Sequence, residues 1–288
     1  MKFKQLANTK YGQDGAIYDG LLFRFDHQGE CTVYDLADLD EGSDAAISLQ
    51  PLSSFTLEFT EEITPHSNTV CFGSEYYALG DRFPLVYSNV YNNYAKEEDR
   101  RVGVCCVYRI TRYANSFDAE LVELIKIGFT DDPIWRSEGV EDVRPYGNFL
   151  VDRERERLYA YVMRDGDKKT RYFSFALPKS YDGRNDPSLG IRCVTLEKSD
   201  IIDYFDVPYH NYIQGGIAKD GMVYEVEGFG EKIHPAIRVI DLDKKAEIYH
   251  RDLFEEGLCE EAEMIDFLGG KLIYGDARGR LFELDLEI

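Results

Sequence analysis

The sequence lacks the features that would place the chain in a membrane or on a nucleic acid. It has no run approaching the roughly 20 apolar residues that a membrane-spanning helix needs. The first 15 residues contain lysines but no apolar segment, so they do not form a secretory signal. Basic residues are scarce: 33 Lys and Arg stand against 54 Asp and Glu, a net charge of −21. A field of that sign repels nucleic-acid backbones and anionic membranes, so we expect a cytoplasmic protein with neither as partner.

Motifs that would name a reaction are also missing. No Gly-x-Ser-x-Gly occurs, no Ser/His/Asp grouping is recognisable, and no glycine-rich phosphate loop precedes a predicted helix. The six cysteines include no Cys-x-x-Cys pair, and most lie in apolar stretches such as VGVCCVYRI. The sequence therefore predicts buried, reduced thiols and no structural zinc site.

A strand–turn–strand unit recurs along the chain. It is plainest in residues 210–242 and is written again in 263–286 and 13–36, each time with glycine at the hairpin turns. Hydrophobic residues make up 44% of the chain and aromatic residues 14%, which suits a sheet-rich fold with a sizeable core. A sheet motif that recurs from end to end predicts a β-propeller.

We therefore predict an all-β fold in which residues 1–288 form a single five-bladed β-propeller, with four antiparallel strands in each blade. The predicted blades are residues 13–60, 66–128, 144–197, 210–252, and 263–288 together with 2–7. The last blade has three strands of its own, so the N-terminal strand is expected to complete it and to leave no sheet edge bare. Residues 191–196 are predicted as the fourth strand of blade 3, and residues 199–205 as a short helical turn.

The repeated pattern Gly-x-Leu/Ile-Tyr followed by Ile-x-Val-x-Asp-Leu resembles bacterial propellers of the six-bladed NHL-like and lactonase-like type. The segment HSNTVCFGSEYYALGDRFPLVYSNVYN, with a later blade that opens on His210, is similar to a group of uncharacterised bacterial propellers. The Trp-Asp pair of WD40 blades and the sialidase box are missing. The resemblance implies blade geometry and carries over no activity.

Polar residues stand just ahead of, or at the start of, each predicted innermost strand. Because the innermost strands of a propeller line its central channel, we expect these side chains to meet in a funnel on one face of the disc. The predicted ligand-binding set is Asp14, His66, Asn68, Arg144, His210, Gln214 and Glu263. Arg144 would suit a carboxylate or phosphate, since a guanidinium binds such groups through two parallel hydrogen bonds. The alternative is a structural role, in which these groups form hydrogen bonds only with one another and with water in the channel.

Two other uses of the same positions stay open. Asp14, His66, His210 and Glu263 could act as ligands of a divalent cation, although Arg144 would oppose a positive ion. Asp14 and Glu263 lie on adjacent blades of a ring and could act as a carboxylate pair.

The main prediction is a monomeric binding module for a small polar molecule or a protein partner, without a cofactor. The alternative is a hydrolase or isomerase that acts on a carbohydrate or a lactone, with its catalytic residues unassigned. Tyrosine-rich segments around Tyr76, Tyr77, Tyr87, Tyr91 and Tyr94 offer a further surface for sugars or peptides.

Overall fold

The structure is a computed structural model, and it describes residues 1–37, 39, 45–58, 63, 66–90, 101–114, 116–138, 146–187 and 189–288. Arg144, Tyr91 and Tyr94 therefore lie outside the described residues. Within these ranges, no helix is long and apolar enough to cross a membrane.

The described chain forms five β-sheets in a propeller arrangement. Blade 1 holds β2 (Gly15–Tyr18), β3 (Leu21–Phe25), β4 (Glu30–Asp35) and β6 (Pro51–Thr56). Blade 3 holds β11 (Asn148–Asp152), β12 (Arg157–Arg164), β13 (Lys169–Ala176) and β16 (Asp203–Pro208). Blade 4 holds β17 (Ile213–Lys219), β18 (Met222–Phe229), β19 (Ile233–Asp241) and β20 (Ala246–Asp252). All strand pairs within these three sheets are antiparallel.

The other two sheets are wider than predicted. Blade 2 has six strands: β7 (Val70–Phe72), β8 (Val86–Asn89), β9 (Val104–Arg112), β10 (Phe117–Ile127), β15 (Arg192–Leu196) and β14 (Arg184–Asn185). Blade 5 has five strands: β21 (Ala262–Leu268), β22 (Lys271–Asp276), β23 (Arg280–Asp285), β1 (Lys2–Asn8) and β5 (Ile47–Ser48). Within blade 5, β1 lies antiparallel to β23, with Lys2 opposite Asp285 and Asn8 opposite Arg280.

The prediction of four antiparallel strands in every blade is therefore wrong for blades 2 and 5. In blade 2, β15 runs parallel to β10, and in blade 5, β5 runs parallel to β1. The assignment of residues 191–196 to blade 3 is also wrong, because β15 pairs with β10 of blade 2. The fourth strand of blade 3 is β16, in the region predicted as a helical turn; only Lys198–Asp200 form a single 3₁₀ turn. Strand patterning reports that a segment is extended but not which neighbour it pairs with.

The innermost strands are β2, β7, β11, β17 and β21. They contact one another in that order, and β21 also contacts β2. Neighbouring inner strands run in the same direction, since Thr69 contacts Phe149 and Cys71 contacts Val151 two residues further along both strands. We call the end where these strands begin the N face and the end where they finish the C face.

The core lies between adjacent sheets. Phe23 of blade 1 packs edge-on against Phe72 and Phe83 of blade 2, with ring centroids 5.3 Å apart in both pairs. Trp135 stacks on Phe173 of blade 3 at 5.5 Å. Apolar side chains on both faces of a blade are therefore buried, because each face packs against a neighbouring blade.

Candidate functional site

At the N face, four of the predicted site residues lie close to the propeller axis: Asp14, Asn68, Gln214 and Glu263. Most of them form hydrogen bonds with one another or with adjacent residues. Nδ2 of Asn68 donates to Oε1 of Gln214 at 3.1 Å and to the carbonyl of Ile213 at 2.9 Å. Gln214 in turn donates to Glu261 at 2.6 Å. Nε2 of Gln13 donates to Oε1 of Glu263 at 3.0 Å. The N-face end of the axis is thus filled by polar side chains from blades 1, 2, 4 and 5.

Two of the three carboxyl groups of this cluster, those of Asp14 and Glu263, are completely buried, whereas Glu261 is partly exposed. Asp14 accepts the backbone N–H groups of Val70 and Gly15, each at 2.7 Å, and so joins blade 1 to blade 2. Burial raises the pKa of Asp14 well above its ordinary value, although those two bonds lower it in part. Burial, with the nearby charge of Glu261, likewise raises the pKa of Glu263.

Arg24 also belongs to this cluster, and the sequence analysis missed it. It lies on β3, is buried, and donates Nη2 to the carbonyls of Gly12 and Asp276. Its charge lowers the pKa of both Asp14 and Glu263. The signal in the sequence was a charged residue within an otherwise apolar strand, LLFRF, all of which is buried.

The remaining predicted residues are placed differently. The ring of His66 lies 6.1 Å from that of His27, and burial together with His27 lowers the pKa of His66 to about 4. His210 is buried between blades 3 and 4, where Nδ1 lies 2.8 Å from Oε2 of Glu225. Arg144 lies outside the described residues. Within the described part of the chain, no group of three or more His, Cys, Asp or Glu side chains is placed to hold a metal ion.

At the C face, residues in or just after β2, β11, β17 and β21 line an open depression of about 490 Å³. Two-residue turns with positive φ follow β2, β17 and β21, for example at Asp19-Gly20 (φ 49° and 72°). Such tight hairpins leave the end of the axis uncovered. The residues around the depression that carry charge or an aromatic ring include Tyr18, Arg153, Glu154, Lys219, Asp266 and Phe267.

Arg153 follows β11 and is held over the ring of Tyr18, 5.6 Å from its centroid. Tyr18 is fixed in turn, because its hydroxyl lies 2.6 Å from that of Tyr76. Burial and this bond raise the pKa of Tyr18 to about 12. Within the described ranges, no carboxylate lies within 4.0 Å of the Arg153 guanidinium, whereas the neighbouring Arg155 pairs with Asp243 at 2.9 Å. Arg153 therefore presents its donors to the depression.

Lys219, Asp266 and Asp19 also carry charge in the lining, and Asp19 pairs with Arg82 at 2.7 Å. Nζ of Lys219 lies 4.3 Å from the centroid of Phe267 and 3.8 Å from Asp220. Asp266 accepts the N–H groups of Ile17 and Phe267 at 2.6 and 2.7 Å, so both of its oxygens are already bonded. Burial raises the pKa of Asp266 to about 6, although Arg153 and Lys219 lower it in part. The sequence analysis missed Arg153 and Lys219 because it considered only the residues that precede the inner strands.

A loop next to the depression carries exposed apolar side chains. Tyr76, Tyr77 and Leu79 are exposed on the segment between β7 and β8. Glu75 binds Ser180, in the segment between β13 and β14, with Oγ donating at 2.8 Å, and Asp81 binds Arg109 through two bonds of 2.7 and 3.1 Å. The loop is thus held on both sides of Leu79, whose side chain is fully exposed.

Comparisons with known proteins support no narrower description. No protein-family model matches the sequence, and no curated protein is similar to it in sequence. Solved structures with a similar shape include the Dos1 propeller, at 11% identity and a TM-score of 0.38, covering 95% of this chain and 56% of that one. BamB from Moraxella catarrhalis is similar at 6% identity and a TM-score of 0.35, covering 96% of this chain and 58% of that one. The chain thus spans less than two thirds of the length of both.

A proposed oxidoreductase (glucose dehydrogenase) from Thermus thermophilus is also similar in shape. It is 11% identical, with a TM-score of 0.46, and the match covers 98% of this chain and 99% of that one. None of these likenesses assigns a ligand to this chain.

Proposed function

We propose that the chain is a propeller-type binding module that holds a small polar ligand with an anionic group in the C-face depression. The single observation that carries this proposal is Arg153, a guanidinium fixed over Tyr18 beside an open depression and without a carboxylate partner in the described part of the chain. A guanidinium so placed can bind a carboxylate or phosphate through two parallel hydrogen bonds. Lys219 adds a second positive charge in a chain that is otherwise strongly acidic.

This position differs from the funnel predicted from the sequence, although the ligand class is the same. The N-face groups bind one another, and Asp14 and Glu263 are both sealed from solvent. Glu261, which is only partly buried and accepts a hydrogen bond from Gln214, is the carboxyl group at that end of the axis that the alternative, a hydrolase or isomerase, could use. The proposal also assumes that the pairing of β1 with β23 closes the ring of blades, because the depression exists only if blades 5 and 1 stay together.

A titration with simple anions tests the proposal. Inorganic phosphate and citrate are added to the labelled protein, and binding is followed by heteronuclear NMR. We expect resonances around residues 153 and 219 to shift, and the Arg153→Gln variant to bind at least tenfold more weakly, since a charge-assisted bond contributes about 1.5–3 kcal/mol. Arg155→Gln is the matched control, because Arg155 already pairs with Asp243, and it should bind within twofold of the wild type. Equal loss in both variants would show only a general charge effect and would refute a specific site.

The exposed loop favours a second candidate function, the binding of a folded protein partner. Leu79 is exposed, yet its loop is held by the Glu75–Ser180 and Asp81–Arg109 contacts, and a preorganised side chain loses little entropy on binding. A partner retained by the wild type and by the control Leu52→Ser, but lost by Leu79→Ser, would support this function. Retention by all three proteins would exclude the loop as the contact.

A further inference from the structure

A second depression continues from the C-face depression toward the rim of the disc. It has a volume of about 340 Å³ and shares Phe267 and Gly270 with the first. It lies between β18 of blade 4 and blade 5. Its apolar lining is formed by Tyr224, Phe267, Leu272, Leu284, Leu286 and Ile288.

The groove between blades 4 and 5 differs in chemistry from the depression beside it. Leu272 and Leu284 are buried in its floor, and Tyr224 packs edge-on against Phe267 with ring centroids 5.0 Å apart. The charged residues at its rim are partly neutralised, because Nζ of Lys271 lies 3.2 Å from Oε2 of Glu283. An apolar group that binds there would be removed from water, and no unpaired charge would be buried with it.

The cation Lys219 marks the boundary between the two depressions. Its ammonium lies over Phe267, one of the two residues that line both depressions. A ligand whose charge meets Arg153 and Lys219 therefore has an apolar surface directly beside its charged end. The charged end also holds Glu154, Asp19, which pairs with Arg82, and Asp266, whose two oxygens accept N–H groups. Arg153 and Lys219 are the groups there that can meet an anion, and with the aliphatic side chains beside them they are complementary to an amphipathic anion.

From this continuity we infer that the ligand is an amphipathic carboxylate, with its anionic head at Arg153 and Lys219 and its aliphatic tail in the groove between blades 4 and 5. This inference rests on the function proposed above, because it assigns the head of the ligand to the same depression. It adds the chemical class of the remainder of the ligand, and it names Leu272, Leu284 and Leu286 as the residues that select for it.

A series of straight-chain carboxylates tests the inference. Acetate, butyrate, hexanoate and octanoate are titrated below the concentration at which they form micelles, and Kd is measured by NMR. We expect Kd to fall by roughly fourfold for each methylene that enters the groove and then to level off. Hexanol, which has the tail without the charge, should bind at least tenfold more weakly than hexanoate.

Variants separate the two parts of the site. Leu286→Gln and the more exposed Ile288→Gln should weaken octanoate binding severalfold and leave acetate binding unchanged. Ile202→Gln, an exposed isoleucine on blade 3, is the matched control and should change neither.

The outcomes distinguish the inference from the proposed function. If all four acids bind with equal Kd and all depend on Arg153, the amphiphile is wrong and the anion site stands. If octanoate binds equally well to Arg153→Gln, the tail binds without the head and the inference is overturned. If no acid of any length binds, both the anion site and the groove assignment fail.

Discussion

Nδ1 of His210 lies 2.8 Å from Oε2 of Glu225, and neither side chain is exposed to solvent. Nε2 of the same ring lies 3.5 Å from Glu247, which also binds Arg238. Burial alone lowers the pKa of His210, but the charge of Glu225 and the contacts with both carboxylates raise it above its ordinary value. The ring thus lies between two carboxylates, on blade 4, that favour its protonated form.

Replacing His210 by Gln should destabilise the fold by about 3 kcal/mol at pH 6, because Glu225 would lose its cationic partner in the interior. Urea unfolding of the two proteins measures the difference. His250→Gln, on the exposed part of β20, is the control and should change the free energy of unfolding by less than about 0.5 kcal/mol. Equal losses in both variants would show that His210 has no special role.

The contribution of His210 should depend on pH. Since its pKa is higher in the folded protein than in the unfolded chain, its stabilisation is complete below the unfolded pKa of about 6.5 and is lost as the pH rises through the folded value. The gap in unfolding free energy between wild type and His210→Gln should therefore shrink between pH 6 and pH 9. A gap that stays constant or widens over that range would contradict a charged ring.

Glu263→Gln should remove the free-energy cost of ionising a buried carboxyl group, a cost that grows as the pH rises. The pKa of Glu263 is raised in the folded state, so its contribution is fully present below the unfolded pKa of about 4.3 and is lost as the pH rises through the folded value. The variant cannot ionise, and it keeps an amide oxygen for Gln13. We expect its stability relative to the wild type to grow between pH 4 and pH 8, to the order of 1 kcal/mol. Exposed Glu255→Gln should show no such trend in the same unfolding series.

Gln5→Pro should loosen blade 5. Gln5 lies opposite Phe282 within the β1–β23 ladder, and proline removes the backbone N–H and restricts φ. We expect a loss of about 1–3 kcal/mol, measured as a lower denaturation midpoint, while Gln5→Ala keeps the N–H and should cost much less. Identical midpoints for the two variants would mean that β1 contributes nothing to holding blade 5 against blade 1.

Gly147→Ala should disturb the packing around Trp135. Gly147 has φ of +85°, and a Cβ there would lie 2.8 Å from the indole ring. The backbone strain of about 1 kcal/mol and overpacking of about 1–3 kcal/mol should add. Gly257→Ala shares the positive φ (+92°) but meets nothing within 4 Å, so it measures the strain alone. Trp135 is the one tryptophan in the chain, and its fluorescence follows both the packing and the unfolding.

The sequence predicts the strands and the candidate site to different extents. Hairpin turns with glycine, such as Tyr18-Asp19-Gly20, fix local strand pairs, so the five-bladed propeller arrangement and most strand positions could be predicted. The pairing of β15 with β10 could not, because its parallel ladder joins residues 69 positions apart, such as Glu123 and Arg192, with no hairpin turn between them. Arg153 and Lys219 were not predicted for a related reason: Arg153 follows β11 and Lys219 ends β17, and only the ring shows that residues so far apart in the chain face one depression.

The parallel ladder between β15 and β10 also limits how this protein can be cut or rebuilt. Residues that follow the third strand of blade 3 along the chain return to widen blade 2, and β5 likewise leaves blade 1 to lie against β1. Exchange of the chain segment of blade 1 or blade 3 for another repeat would therefore remove strands from two sheets at once. Blade 4, whose four strands are contiguous in the chain, does not have this constraint.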